Sequence, residues 1–237
     1  MKIAVINFSG NVGKSTVAHH LLAPRLAGAE VIPVESINSD DSEKQSALRG
    51  TEFAVLQDRL MNVRNAVVDI GASNVEDFVS LMRDYHGSHE DFDVFVVPTV
   101  PPLKQQVDTI STLRALGEEI GVPPEKIRVL FNTVTPRDDV TKVFSRIFDH
   151  HAEKHSFVLN REAVMYENPI YEKIKAFDRS IIDIRNDPTD YVAMNADALE
   201  NGEPEEHRAQ IRQLVAIKRL ATRVTTELDA VFKVLVH

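Results

Sequence analysis

The 237-residue chain contains neither cysteine nor tryptophan, so no disulfide staples its fold. The lack of cysteine suits a reducing cytoplasm. The N-terminus also lacks the basic stretch, apolar core and small-residue cleavage site of a secretory signal, so the expected location is cytoplasmic. No apolar run approaches the roughly 18 residues that a membrane-spanning helix needs. Positive charge is scarce: 27 Lys and Arg stand against 36 Asp and Glu, a formal net charge of -9. This balance excludes a chain that coats nucleic acid over its whole surface, because neutralising phosphates takes clustered Lys and Arg. Any DNA contact must then be local or supplied by a partner. Internal repeats and low-complexity tracts are missing as well.

What is present is an alternation of short apolar runs and helix-length segments. Hydrophobic residues make up 43% of the chain, enough for a sheet covered on both faces, and the order of elements is that of βα units and a mostly parallel sheet. The expected class is α/β, as one domain over residues 1–237. Strands are expected at Lys2 to Phe8, Val31 to Val34, Ala66 to Ile70, Val94 to Val97, Ile127 to Phe131 and Phe157 to Leu159. Helices are expected at Lys14 to Leu26, Gln45 to Met61, Val75 to Tyr85, Leu103 to Ile120 and Asp139 to Lys154. Turn signals at Asn186-Asp187-Pro188 and Asn201-Gly202-Glu203-Pro204 make 161–206 a less regular segment. From Glu205 onward, Ile211, Leu214, Leu220, Val224, Leu228, Val231 and Leu235 recur every three or four residues and predict a long amphipathic helix.

The chemistry concentrates after the first strand. Gly10-Asn11-Val12-Gly13-Lys14-Ser15-Thr16 leaves an apolar strand and opens a helix, the context a phosphate-binding loop requires. Backbone N–H groups can curl around an anionic oxygen there, with the helix N-terminus adding partial positive charge. Lys14 can reach β- and γ-phosphates, and the Ser15 hydroxyl can take one place in an octahedral Mg²⁺ shell. The bland alternative is a Gly-rich turn followed by an incidental Lys-Ser-Thr. Asp69 ends the run Val67-Val68-Asp69-Ile70 at the carboxyl edge of the sheet, where open α/β sheets bind ligands, and is placed to orient a Mg²⁺-bound water. Gly71 and a switch segment at about Ala72 to Asn74 follow it. Glu35 closes the second strand at the same edge, where a loop acid with no role is the competing reading. Asn132 ends the fifth strand with a carbonyl and an amide able to face adenine. His150, His151 and His155 lie among Asp149, Glu153 and Lys154 on what reads as a solvated helix face, so no metal is assigned to them.

The stretch Asn7-Phe8-Ser9-Gly10-Asn11-Val12-Gly13-Lys14-Ser15-Thr16 resembles the loop of the ParA/MinD type of deviant P-loop ATPase. The resemblance extends over roughly the first 135 residues. It implies a P-loop fold, ATP and Mg²⁺ as ligands, catalytic roles for Lys14, Asp69 and Glu35, adenine contact by Asn132 and a nucleotide-dependent homodimer. Ser9 stands where that family has a signature lysine, Asn11 replaces its second loop glycine, and Ile37 falls where it has the Asp that positions attacking water. These departures imply slow hydrolysis. Within the family the opening segment, Glu35-Ser36-Ile37-Asn38-Ser39-Asp40 and Val68-Asp69-Ile70-Gly71-Ala72-Ser73 look like plasmid-stability members. Those imply a weak ATPase switch acting in plasmid partition, stability or conjugative transfer beside a DNA-binding adaptor. Two alternatives stand beside this one. The first is a small-molecule kinase or ligase holding its acceptor near Glu35 to Asp41 and Ala72 to Asn74. The second is a nucleotide-binding module without hydrolysis.

Overall fold

The structure is a computed structural model that describes residues 1–34, 50–177 and 179–236. Six strands form one sheet in the order β2-β3-β1-β4-β5-β6, and every pairing is parallel. They are β1 (Lys2–Val5), β2 (Glu30–Val34), β3 (Ala66–Ile70), β4 (Val94–Thr99), β5 (Ile127–Val134) and β6 (Val164–Tyr166). The expected α/β class with a parallel sheet is what the chain adopts. Burial on both faces explains the apolar strands: β3 and β4 are buried at every position.

Two departures from the expected strands have physical causes. β1 is shorter than the apolar run, because after Ile6, which still donates to Val96 O (3.0 Å), the backbone turns into the loop. The expected sixth strand at Phe157 to Leu159 forms only a single bridge, Val158 to Arg128. The edge position goes instead to Val164–Tyr166, which pairs with β5 across an irregularity between Phe131 and Val134. Short apolar triplets carry no periodicity that distinguishes a strand from a bridge, so the sheet edge decides between them.

Helix α1 (Lys14–Thr16) continues as a π-helical turn (Val17–Leu22) and a 3-10 turn (Ala23–Arg25). The remaining helices of this part are α2 (Gly50–Asn62), α3 (Val75–Asp84), α4 (Leu103–Arg114, running on as a π-helical turn, Ala115–Ile120), α5 (Val140–Val143) and α6 (Ser145–Lys154). Gly121 ends the α4 run at φ 84, a left-handed value that favours glycine. Ala4, Val68, Ile70, Phe95 and Val97 from the strands, and Ile6 just after β1, share one apolar cluster with Phe53 of α2, Phe78 of α3, Leu113 of α4 and Ile147 of α6. The alternate strand residues Ile3, Val5, Val67 and Val96 are equally buried and point to the opposite face, as a period of two requires.

The chain divides into two compact units: Met1–Glu167 with the residues from Val231 onward, and Asn168–Ala230. The second unit holds α7 (Ile170–Lys173), α8 (Ile181–Asn186), α9 (Tyr191–Glu200) and most of α10 (Glu205–Val236). A long C-terminal helix is present, over Glu205–Val236. Three of its cations pair with carboxylates: Arg208 and Arg212 with Glu205 (2.7 and 2.5 Å) and Arg223 with Glu227 (2.8 Å). Among the described residues, no helix is long and apolar enough to cross a membrane.

Candidate phosphate-binding site

The strand order places the site. From β1 the chain crosses toward β2, and from β4 it crosses toward β5, so the crevice at the carboxyl ends of β1 and β4 is where the winding reverses. The loop after β1 opens into that crevice. Asn11 (φ 58) and Gly13 (φ 84) both adopt left-handed backbone, which turns successive N–H groups inward as an anion-binding nest does. No side chain caps the N-terminus of α1. Among the described residues, no carbonyl accepts from the N–H groups of Gly10, Asn11, Val12 or Gly13. Donors gathered at a helix N-terminus without acceptors are what a phosphate needs.

Lys14 lies across this loop. Its ammonium is buried and donates to Asn7 O (3.1 Å) and Ser9 O (2.9 Å), closing the loop on itself. Burial pushes its pKa below the ordinary lysine value, and the nearby carboxylate of Asp69 offsets part of that shift. Asp69 pairs in register with Val5 of β1 and is itself buried. Its Oδ1 has no hydrogen-bond partner among the described residues, a costly state that a water or ion in the crevice would relieve. The Ser15 side chain is exposed at the mouth. Gly10 to Thr16 and Asp69 are therefore brought together.

Asn132 reaches the loop from behind. Its Nδ2 donates to Val12 O (2.9 Å) and its Oδ1 accepts from Thr133 N (2.9 Å), so both ends of the amide are engaged with backbone. The approach is close: a Cβ added at Gly13 would stand 2.3 Å from Asn132 Nδ2. Here Asn132 braces the loop. Glu35 and Ile37, with the whole segment 35–41, lie outside the described residues. The switch segment Ala72–Asn74 is a 3-10 turn. It is tied to the end of β2, where Val34 O accepts from Gly71 N (3.0 Å) and Asn74 Nδ2 (3.1 Å).

Sequence reasoning missed the polar layer beneath the loop. Asn7 Nδ2 donates to Pro98 O and Thr109 Oγ1 (both 2.8 Å), and its Oδ1 accepts from Ser9 N (2.7 Å). Thr109 donates to Thr99 Oγ1 (3.0 Å), and Phe8 N donates to Thr112 Oγ1 (3.0 Å). Asn7, Thr99, Thr109 and Thr112 are all fully buried. The available signal was the spacing of Gln106, Thr109 and Thr112, polar residues three apart on the face of α4 that a core helix would fill with apolar ones. Ser9 belongs to this layer. It is buried beside Asp108, whose carboxyl is held below its ordinary range chiefly by the hydrogen bond from Lys104 and further by Ser9.

Of the three histidines expected on a solvated face, His155 is exposed and His150 is not. His150 is buried rather than solvated and stacks on Phe157, with ring centroids 6.2 Å apart. Burial, then the charge of Arg114, pushes its pKa below the ordinary value. No group of three or more His, Asp or Glu among the described residues is arranged to hold a metal.

No family model and no curated protein matches the chain. Solved structures similar to it include pNOB8 ParA, at 11% identity and TM-score 0.49, covering 98% of each chain. A McdA variant from Cyanothece in complex with ATP aligns at 11% identity and TM-score 0.47, over 94% of this chain and 96% of that one. pNOB8 ParA bound to nonspecific DNA aligns at 11% identity and TM-score 0.40, over 96% and 98%. With likenesses this distant, the functional reading rests on the chain's own loop, lysine and aspartate.

Proposed function

We propose that the chain is an ATP-binding switch with weak ATPase activity, built on a phosphate-binding loop. The observation that carries this is the loop itself: a left-handed nest at Asn11 and Gly13, an uncapped helix N-terminus, and the buried Lys14 ammonium within the electrostatic influence of Asp69, whose Oδ1 has no hydrogen-bond partner among the described residues. The N–H groups of Gly10 to Thr16 bind the β-phosphate. Lys14 exchanges one of its loop carbonyls for a phosphate oxygen, and its partial desolvation strengthens that charge pairing. The exposed Ser15 hydroxyl and the free oxygen of Asp69 suit a Mg²⁺ ion, Ser15 as a direct ligand and Asp69 through a water. Such an ion, when bound, neutralises charge between the β- and γ-phosphates.

Turnover is slow in this reading. Ser9 is neutral and offers no positive charge to the phosphates. Gly71 and the turn at Ala72–Asn74, tied to the end of β2, form the element that distinguishes the ATP from the ADP state. Asn132 supports the site by bracing the loop, and adenine contact through its remaining amide hydrogen completes its proposed role.

The biological setting we assign is cytoplasmic maintenance of a plasmid, by partition, stability or conjugative transfer. The opening segment and the Val68 to Ser73 stretch resemble the plasmid stability protein StbB, and a DNA-binding adaptor together with a second copy of this chain are its proposed partners. The test is steady-state hydrolysis and DNA co-sedimentation in ATP and in ADP. The expected result is slow hydrolysis and an association that differs between the two nucleotides. Tight ATP binding with no turnover and no nucleotide-dependent association would replace the switch with a structural-ligand role. Transfer of the γ-phosphate to a small molecule would establish a kinase.

A further inference from the structure

Every charged residue from Asn186 to Glu206 is acidic, and within that stretch the sequence Tyr191-Val192-Ala193-Met194-Asn195-Ala196-Asp197-Ala198-Leu199-Glu200 folds as α9. A ten-residue helix is marginal on its own and normally depends on a buried face. α9 buries only Tyr191 and Ala198, while Val192 is 56% and Leu199 60% exposed. Val192, Ala196 and Leu199 fall at i, i+4 and i+7 and make one stripe along the helix.

The second unit nevertheless holds this helix firmly at both ends. Asp190 caps its N-terminus, accepting from Val192 N (3.0 Å) and Ala193 N (3.1 Å). Just before it, Asp187 takes an ion pair from Arg179 (2.6 Å), the Tyr191 hydroxyl (2.6 Å) and Thr189 N (2.8 Å). Hydrogen bonds from Thr189 and Tyr191, with Arg179 after them, hold that carboxyl well below the usual carboxylate range. Lys218 of α10 closes the clasp from the other side, donating to Asp187 O (2.7 Å) and Thr189 O (2.6 Å) and standing 5.3 Å from the centre of the Tyr191 ring. At the far end, Gly202 N donates to Leu199 O (3.2 Å) and Glu203 N to Ala198 O (3.0 Å). A helix that buries so little and is clasped so fully is presented outward.

The charges beside the stripe point to what it receives. Asp187, Glu203 and Glu205 are engaged with Arg179, His207 and Arg208. Glu200, which flanks the stripe, and Asp197, farther round the helix, enter none of the ion pairs recorded among the described residues of this unit. We propose that α9 is a docking helix for an amphipathic segment of a partner protein, which lays aliphatic side chains on Val192, Ala196 and Leu199 and pairs a flanking Lys or Arg with Glu200, in the acidic field to which Asp197 adds. The surface lies wholly within the second unit, so the proposal stands or falls apart from nucleotide binding.

The test is fluorescence anisotropy of the full chain with a labelled synthetic helical peptide carrying leucines at i, i+3, i+4 and i+7 and lysines between them. Two controls accompany it: the same peptide with glutamate in place of lysine, and a scrambled peptide of identical composition. Two double variants probe the surface, Val192→Ser with Leu199→Ser and Asp197→Lys with Glu200→Lys. All four positions are exposed, so both variants keep the wild-type melting temperature. The expected result is saturable binding by the amphipathic basic peptide alone, weakened about tenfold or more in each variant. Equal affinity for wild type and variants would overturn the proposal, as would equal binding of the scrambled peptide. Concentration-dependent self-association of the wild type that the Val192→Ser/Leu199→Ser variant abolishes would give the surface to a second copy, and so would also overturn it.

Discussion

Replacing Gly13 with alanine tests whether the loop is braced from behind. A Cβ at residue 13 would stand 2.3 Å from Asn132 Nδ2, whereas ordinary contact begins at 3.4 Å, so the amide must retreat by 3.4 − 2.3, about 1.1 Å. That movement breaks its 2.9 Å bond to Val12 O. Leaving buried groups unpaired costs about 1–3 kcal/mol. The backbone adds its own term, because φ is 84 at Gly13 and an L-residue there costs roughly 1–2 kcal/mol. The expected total is about 2–5 kcal/mol, or about 1–2 M in the urea midpoint at a slope of roughly 2–3 kcal/mol per molar. In an Asn132→Ala background the obstructing amide is gone, and Gly13→Ala should cost only the backbone term. The double-mutant cycle then yields a coupling of about 1–3 kcal/mol. Strict additivity, or a midpoint shift in the single variant too small to measure, would refute the brace.

Other outcomes follow from the same structure. Lys14→Met should leave stability at neutral pH unchanged or slightly raised, since burial disfavours the charged ammonium, while abolishing nucleotide binding; urea melts and binding titrations separate the two effects. Asp69→Asn should weaken the Mg²⁺-dependent part of ATP affinity and spare the metal-free part, as titrations in Mg²⁺ and in EDTA would show. His150 is neutral when folded, with a pKa below the ordinary value of about 6.5 that it regains on unfolding. The unfolded chain therefore takes up the proton first, and stability falls as pH drops below about 6.5, levelling off once the folded pKa is passed. His150→Leu should flatten that acid limb in urea melts at a series of pH values. Asp187→Ala should speed amide hydrogen exchange across α9 and leave β1 to β5 protected, because the clasp holds only the second unit.

The elements legible in the sequence were those whose residues settle their own fate. Ala66–Ile70 was read to the residue because an apolar run bounded by polar Asn65 and Gly71 has nowhere else to go but a buried strand. The loop from Gly10 to Thr16 was legible because glycine spacing, lysine and strand-to-helix position agree. Other features depended on partners distant in sequence. Asn7 and Ser9 give no sign that Thr109, Thr112 and Asp108 complete their surroundings, since those residues lie about a hundred positions away. The sequence shows Asn132 only as an amide at a strand end, free to face a base; that Val12 O and Thr133 N engage its two ends, so that it also braces the loop, emerges only from the fold. His150 looked solvated because charged neighbours surround it in sequence, yet helical geometry turns it onto Phe157. In the region 161–206, the Ser180 and Asp183 capping box and the Asp190 cap were local signals that mark α8 and α9. They were overlooked because no strong apolar period followed them.

The most direct test of the central claim is equilibrium binding of ATP to the full chain by calorimetry, in Mg²⁺ and in EDTA, with Lys14→Ala measured alongside. The account predicts saturable binding of one ATP per chain, tightened by Mg²⁺ and lost in Lys14→Ala while that variant stays folded. ATP affinity that is absent in the wild type, or identical in the Lys14→Ala variant, would contradict it.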